Sequence, residues 1–403
     1  MNNSGQVQIG NESGLVTFKL LVEGQEIPSV KSIVVEKGIN KIPYAQIIVL
    51  DGKASEQDFE LSSKEDILVP GKKIEITSGY YSEEETIFKG IIIKHRIKVS
   101  EKLSYLILDC KDEVVKMTLG RKSAFFYDNA DSDVIEILLD NNDFSGSVEA
   151  TNTVHKELVQ YRASDWDFML TRAQVNGKLC VVDDGEITIA EPDFKGAAVE
   201  TIAYGSSIYE FEGEIDARDQ FSTVTSSSWN SSDQELVKVV SQDPGVALNG
   251  DMTSSDLADI FNIEKLEQCH GGNLTQDELQ DWSNAKLLYQ QLAKTRGRVK
   301  FQGIAKVKPN TCLNIEGVGS RFNGKIYVSN IRHEIADGNW FVEAEFGLST
   351  RWFSEVYDVT EMPGAGIIPA ISGLHIGIVK QLESDPEGED RVLVQIPIIN
   401  NEE

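Results

Sequence analysis

The sequence predicts a mainly β protein with a small α/β insert, built around two β-barrels of one design. Three observations predict it. Apolar residues alternate with polar ones, the period of a strand with one wet face, over residues 15–110 and again over 299–348. The period lengthens to that of helices between residues 131 and 192. A pattern first seen at Pro70 returns at Pro309. The expected segments are a first barrel over 1–120, the α/β insert over 121–200, a second barrel over 201–355 carrying a long helix at 275–297, a linker over 356–372, and a short β segment over 373–403.

In the first segment, short strands are expected at 18–23, 32–36, 44–50 and 73–77. A longer strand follows, in which Ile91, Ile93, Ile97 and Val99 alternate with Lys94, Arg96 and Lys98. A polar turn at Ser100-Glu101 leads to a partner strand at 103–110. Closing such strands into a barrel removes exposed sheet edges.

In the insert, Val134, Ile135, Leu138 and Leu139 recur at helical spacing, with Asp131 or Ser132 expected as the cap. Ser164 is expected as the N-cap of a second helix, with Asp167 three residues on and Gly177 as its left-handed stop. A hairpin of 178–183 and 186–190 crosses Asp184-Gly185, a strong turn pair. Strands return over 207–240, followed by a polar stretch rich in Ser and Asp. Thr275 and Glu278 form a capping box that opens the longest helix, expected to end at Gly297. Proline and glycine punctuate 356–372, as in a linker. The last thirty residues read as a hairpin of 373–382 and 391–397.

The repeat joins these elements. PGKKIEIT at 70–77 precedes Phe88-Lys89-Gly90 and a long strand. PNTCLNIE at 309–316 precedes Phe322-Asn323-Gly324 and another long strand. Each copy ends in a further alternating strand, at 103–110 and 340–348. Gly90 and Gly324 are expected to be equivalent. Three chains with two such barrels each would build a ring of six similar units, able to meet a sixfold partner on one face and a threefold partner on the other.

Composition limits the chemistry. The 403 residues are 40% hydrophobic and 26% charged, which excludes a disordered chain. No apolar run approaches the roughly 18 residues of a membrane span. The start, Met1-Asn2-Asn3-Ser4-Gly5, lacks signal-peptide features, so cytoplasmic synthesis is expected, with export only by a dedicated machine. Lys and Arg number 38 against 65 Asp and Glu, a net charge of −27. A polyanion makes nucleic acid and anionic membranes poor partners. The basic row Lys94, Arg96, Lys98, with nearby Lys102, is the candidate interface.

No catalytic, cofactor or metal site is expected. Asp165 and Asp167 suit a helix start, and Asp183 and Asp184 suit a turn. His95 and His333 occupy the long strand of each copy. Cys110, Cys180 and Cys312 read as small buried hydrophobes, and Cys269-His270 has no second ligand pair nearby. Nucleophile-elbow, HExxH, Walker and dinucleotide-binding motifs are absent from the sequence.

Several segments resemble VgrG-type hub and spike proteins of contractile injection systems. YRASDWDF at 161–168, running to Gly177, is similar to that family's Y-x-E-S-D-x-x-F helix start. GVGSRFNG at 317–324, YVSNIRH at 327–333 and GNW at 338–340 resemble its second barrel. GLHIGIV at 373–379, DPEG at 385–388 and RVLVQIP at 391–397 resemble the start of its OB-fold. An OB-fold needs about 70 residues or more, so a truncated one is expected here. The resemblance implies a non-enzymatic homotrimer that joins a hexameric inner-tube protein to a trimeric membrane-puncturing needle. It also implies contact with baseplate proteins, a spike tip and effectors, and release from the cell with the machine. The alternative is a phage-tail or secreted multi-barrel module that binds carbohydrate, a monomer with an exposed aromatic platform on one barrel.

Overall fold

A computed structural model describes residues 15–53, 55–63, 66–100, 103–230, 232–262, 265–272, 274–359, 375–386, 388 and 391–397. Residues 1–359 form one compact unit and 360–403 another.

The first six principal strands are β1 (Val16–Val22), β2 (Val30–Gly38), β3 (Tyr44–Leu50), β4 (Lys73–Tyr80), β5 (Glu83–Val99) and β6 (Ser104–Lys111). They lie in the order β1-β4-β5-β6-β3-β2, all antiparallel. Alternate residues of all six meet in one core, among them Leu20, Val35, Ile47, Ile76, Phe88 and Leu108. A sheet whose two ends share one core is curled around it, the barrel that the alternation predicted.

The insert contains β7 (Lys122–Ala130), α1 (Asp131–Asp140), β8 (Val154–Ala163), α2 (Asp165–Val175), β9 (Leu179–Asp183) and β10 (Glu186–Ala190). Ser164 caps α2, its hydroxyl accepting from the Asp167 amide at 3.1 Å. Gly177, at φ +69°, follows the helix. β9 and β10 turn at Asp184 and Gly185, both at positive φ, as a two-residue hairpin with the sheet's own twist requires. The cap of α1 differs from expectation. Ala130 is the N-cap, and the Asp133 carboxylate accepts its amide at 2.9 Å, while Asp131 turns inward to polar partners.

The second half begins with β11 (Ala198–Ala203) and β12 (Ile208–Ile215). A side sheet follows: β13 (Thr223–Asn230), β14 (Glu235–Val240) and β15 (Lys265–His270), with β13 in the middle. Helix α3 (Gln276–Leu292) packs on it, and Ser283 on α3 donates to Ser226 on β13 at 2.7 Å. The capping box holds: the Thr275 amide donates to Glu278 at 2.8 Å and the Glu278 amide to the Thr275 hydroxyl at 3.3 Å. The helix stops at Leu292, short of Gly297. That glycine lies within the next strand, where a Cβ would come 2.1 Å from the Glu212 carbonyl oxygen. It serves a close strand approach and ends no helix.

Strands β16 (Thr295–Gln302), β17 (Cys312–Glu316), β18 (Gly324–Ala336) and β19 (Asn339–Phe346) complete the half. The order is β11-β17-β18-β19-β16-β12. Taken in sequence, each half therefore reads first-fourth-fifth-sixth-third-second, so the order is repeated strand for strand. The halves differ in one polarity: β1 runs antiparallel to β4, and β11 runs parallel to β17. In each half the long fifth strand changes partner along its length. β5 leaves β4 after Ile91 and pairs β6 to Val99. β18 pairs β17 to Tyr327 and then β19.

Gly90 and Gly324 are not equivalent. Gly90 sits opposite Ile74, whereas Leu313, which matches Ile74 in the repeat, sits opposite Ile326. The second register is displaced by two residues. Phe88 is buried in the first core, while Phe322 is partly exposed against Phe211. A Cβ on Gly90 would lie 2.3 Å from the Lys111 carbonyl oxygen, whereas Gly324 opens its strand at φ +118°. Gly90→Ala is expected to cost about 1–2 kcal/mol, because backbone must move to admit the methyl group. Gly71→Ala, at a site with open space, is the comparison in a urea titration, its strain arising from positive φ alone.

One ladder joins the halves. β18 pairs antiparallel with β2, from Asn330↔Gly38 to Ala336↔Ser32. Both halves thus belong to a single 13-stranded sheet. In the second unit, β20 (Ile378–Gln381) and β21 (Leu393–Gln395) form a hairpin with Ile378 opposite Gln395. Pro363, Gly364, Pro369 and Gly373, and most of the expected linker, lie outside the described residues.

Candidate functional site

The candidate surface is the outer face of the repeated sheet. On β5, a bulge between Ile92 and Lys94 resets the alternation. From there Lys94, Arg96 and Lys98 point outward and His95 inward. Arg96 reaches Asp109 on β6 at 3.1 Å. Asp109 also accepts from the Tyr44 hydroxyl at 2.9 Å and the Gln46 amide at 3.0 Å. Burial pushes the Asp109 carboxyl up, but these donors together hold it below its usual range. Burial and the neighbouring Asp109 raise the Tyr44 phenol to about 12. Lys94 and Lys98 are exposed. Lys102 lies outside the described residues.

The inward His95 ring lies 2.7 Å from the Ser62 hydroxyl and 2.8 Å from the Leu68 carbonyl. His333 is buried on β18 and accepts from the Trp340 indole at 3.2 Å. Burial, with a contribution from the Lys37 charge, lowers it to about 3.

Two charged clusters that sequence reading did not assemble hold the insert in place. In the first, the Lys37 ammonium, 4% exposed, pairs with Asp183 and, at 3.0 Å, with Asp184. Lys308 from the second half reaches Asp183 at 2.6 Å, and Asp184 accepts the Lys89 amide at 3.0 Å. The predicted hairpin turn is thereby also a clamp between the halves. In the second, Asp131 accepts from Arg172 at 2.5 and 2.9 Å, from Asn176 at 2.8 Å and from His155 at 3.1 Å. The other ring nitrogen of His155 faces Glu278 on α3 at 3.1 Å. Only the tertiary fold brings these residues together, so no sequence spacing announces them.

Among the described residues no group of three or more His, Cys, Asp or Glu is placed to hold a metal ion. Cys110, Cys180 and Cys312 are buried, and Cys269 is exposed. On the insert, Phe125, Tyr127 and Tyr161 are exposed on the β7–β8 ribbon, the first two with rings stacked at 6.2 Å. This aromatic face lies on the insert and not on a barrel.

Solved structures share this architecture. A tail protein from Neisseria meningitidis MC58 matches with a TM-score of 0.60 at 14% identity, over 84% of this chain and 98% of that one. The 43 kDa tail protein of prophage MuSo2 from Shewanella oneidensis matches with a TM-score of 0.60 at 11% identity, over 83% and 98%. The Escherichia coli c3393 protein is a component of the type VI secretion system, with structural similarity to the bacteriophage T4 tail proteins gp27 and gp5. It matches with a TM-score of 0.50 at 11% identity, over 94% and 89%. No curated protein matches the chain. The chain therefore has the fold of these phage tail and type VI secretion proteins. Residues 12–337 match the model of the Alg8 N-terminal domain, and the chain belongs to that family.

Proposed function

We propose that the chain is a non-enzymatic structural hub of a contractile injection machine. Three copies form a ring of six barrel units. One face of the ring docks a hexameric inner-tube protein, and the other leads to a trimeric needle. Baseplate proteins, a spike tip and effectors are its further partners, and it leaves the cell with the machine. The observation that carries this reading is the strand order repeated within one continuous sheet. A sixfold tube needs six similar contact surfaces, and a trimer of this chain offers six only through its repeated halves. The side sheet and insert occur once per chain and would meet a tube three times.

The test is light scattering of the 403-residue chain together with negative-stain imaging. A threefold particle with a central channel is expected, and co-purification with the inner-tube protein. A compact monomer at every concentration would overturn the reading. The aromatic ribbon of Phe125, Tyr127 and Tyr161 favours the second reading, a ligand-binding module. That reading expects a monomer whose glycan binding is lost in Tyr161→Ala.

A further inference from the structure

The ladder between β2 and β18 has a counterpart that the single chain leaves unmade. β2 is the second strand of its half, and β18 is the fifth. The second strand of the other half is β12, and its fifth is β5. Among the described residues β12 pairs with β16 alone. Beyond Ile91, β5 pairs with β6 alone. Each therefore presents an open edge of backbone donors and acceptors, β12 at the end of the sheet and β5 where it extends past β4.

We propose that β12 of one copy pairs antiparallel with the second half of β5 of the next copy, repeating between chains the ladder that β2 and β18 make within one. This rests on the hub reading for the number of copies. Transferring the register of the internal junction through the repeated strand pairings places Glu214 opposite Arg96 and Glu212 opposite Lys98.

Charge supports this pairing. At the internal junction Glu36 on β2 sits opposite Arg332 on β18, and the two form an ion pair. On the open edges, the outward row of β12 is Glu210, Glu212 and Glu214, and that of β5 is Lys94, Arg96 and Lys98. The three glutamates are 66%, 71% and 66% exposed in their side chains. Opposite charges facing each other across strands stabilise a pair, and like charges oppose it. The rows also continue an alternation across the sheet. Arg298 and Lys300 on β16 pair with Glu212 and Glu210, at 2.9 and 3.7 Å, and the next row outward is predicted to be basic.

Burial agrees. The inward residues of β18 at the internal junction, Ile331, His333 and Ile335, are each 2% exposed. On β5, the inward Ile97 and Val99 are 48% and 68% exposed. A neighbouring strand would cover them as β2 covers their counterparts. The contact is head-to-tail, using two different edges of each copy, and a threefold rotation between copies closes it into a ring.

The experiment is charge exchange in the 403-residue chain, read by sedimentation velocity. Arg96→Glu with Lys98→Glu should raise the concentration for half-assembly about tenfold for each opposed pair, about a hundredfold in all. Adding Glu212→Lys and Glu214→Lys to the same chain should restore assembly. Circular dichroism and melting temperature establish that each variant is folded. Cross-linking is the second measurement, in a Cys269→Ser background. Lys98→Cys with Glu212→Cys should give covalent oligomers under oxidation, and Lys94→Cys with Glu212→Cys should not. A wild-type trimer that persists unchanged in the charge-reversed variant, or cross-links equally in both registers, overturns the proposed edge and leaves the hub reading intact. A wild-type chain that is monomeric at every concentration overturns both.

Discussion

Lys37→Ala is expected to destabilise the 359-residue unit by about 3 kcal/mol, the largest single effect predicted here. The ammonium is 4% exposed and faces two carboxylates at once, Asp183 and Asp184. Removing it leaves both acids with the half-exposed Lys308 as their remaining cation, on Asp183 alone. Breaking a buried pair from one side costs about 3–5 kcal/mol, because the other charge stays buried. The aspartates are 27% and 21% exposed, so water recovers part of that cost. The loss should appear in a urea titration as a lower midpoint with an unchanged slope. Lys37→Met combined with Asp183→Asn and Asp184→Asn should recover most of it, since no charge is then left unpaired. A loss below 1 kcal/mol for Lys37→Ala alone would show that the clamp between hairpin and barrels contributes little.

That clamp shows where sequence reading stops. Asp184-Gly185 was legible as a two-residue turn, because both positions need positive φ and few residue pairs tolerate it. Nothing near Asp183 in sequence indicates that its partner is Lys37, from a different half of the fold. The barrels were legible for a related reason. Ile91, Ile97 and Val99 against Lys94, Arg96 and Lys98 mark a strand with one wet face, and period two survives any register. Register itself was not legible. The shared F-x-G suggested that Gly90 and Gly324 match, yet the second copy pairs two residues away, and the two glycines relieve different crowding.

Of the side sheet, β13 and β14 fall within the strands expected over 207–240, while β15 went unseen in the polar stretch that follows. Ser226, Ser227 and Ser228 form the middle of β13 and are buried, satisfied partly by side-chain hydrogen bonds. A hydrophobic period cannot report that β13 leaves the barrel sheet for a sheet of its own. The basic row was found from sequence, but its acidic complement was not. Glu210, Glu212 and Glu214 gain meaning only once β12 is known to lie at an open edge. A chain with net charge −27 has many such runs, and topology distinguishes this one.

The second large effect is a dependence of stability on pH that runs through His155. Its two ring nitrogens face Asp131 and Glu278, each at 3.1 Å, so both donate and the ring carries a proton. Hydrogen bonds to Asp131 and then Glu278 raise it to about 9, against the opposing cost of burial. Burial raises Asp131 and Glu278, but His155, Arg172 and the Thr275 cap outweigh it and bring each to about 2. A raised folded value means that the stabilisation is complete below the unfolded value near 6.5 and disappears as pH climbs through about 9. The two acids act oppositely: their contribution is present above their unfolded values near 4 and disappears as pH falls through about 2. The contact should therefore be strongest from about pH 4.5 to 6.5. Raising pH from 6 to 9.5 should remove on the order of 2 kcal/mol through this group. His155→Gln keeps a hydrogen-bonding side chain but cannot titrate. It should be less stable than wild type at pH 6 and nearly equal to it at pH 9.5. Urea midpoints of both proteins at the two pH values decide the matter, and a constant gap between them would mean that His155 is not charged in the folded chain.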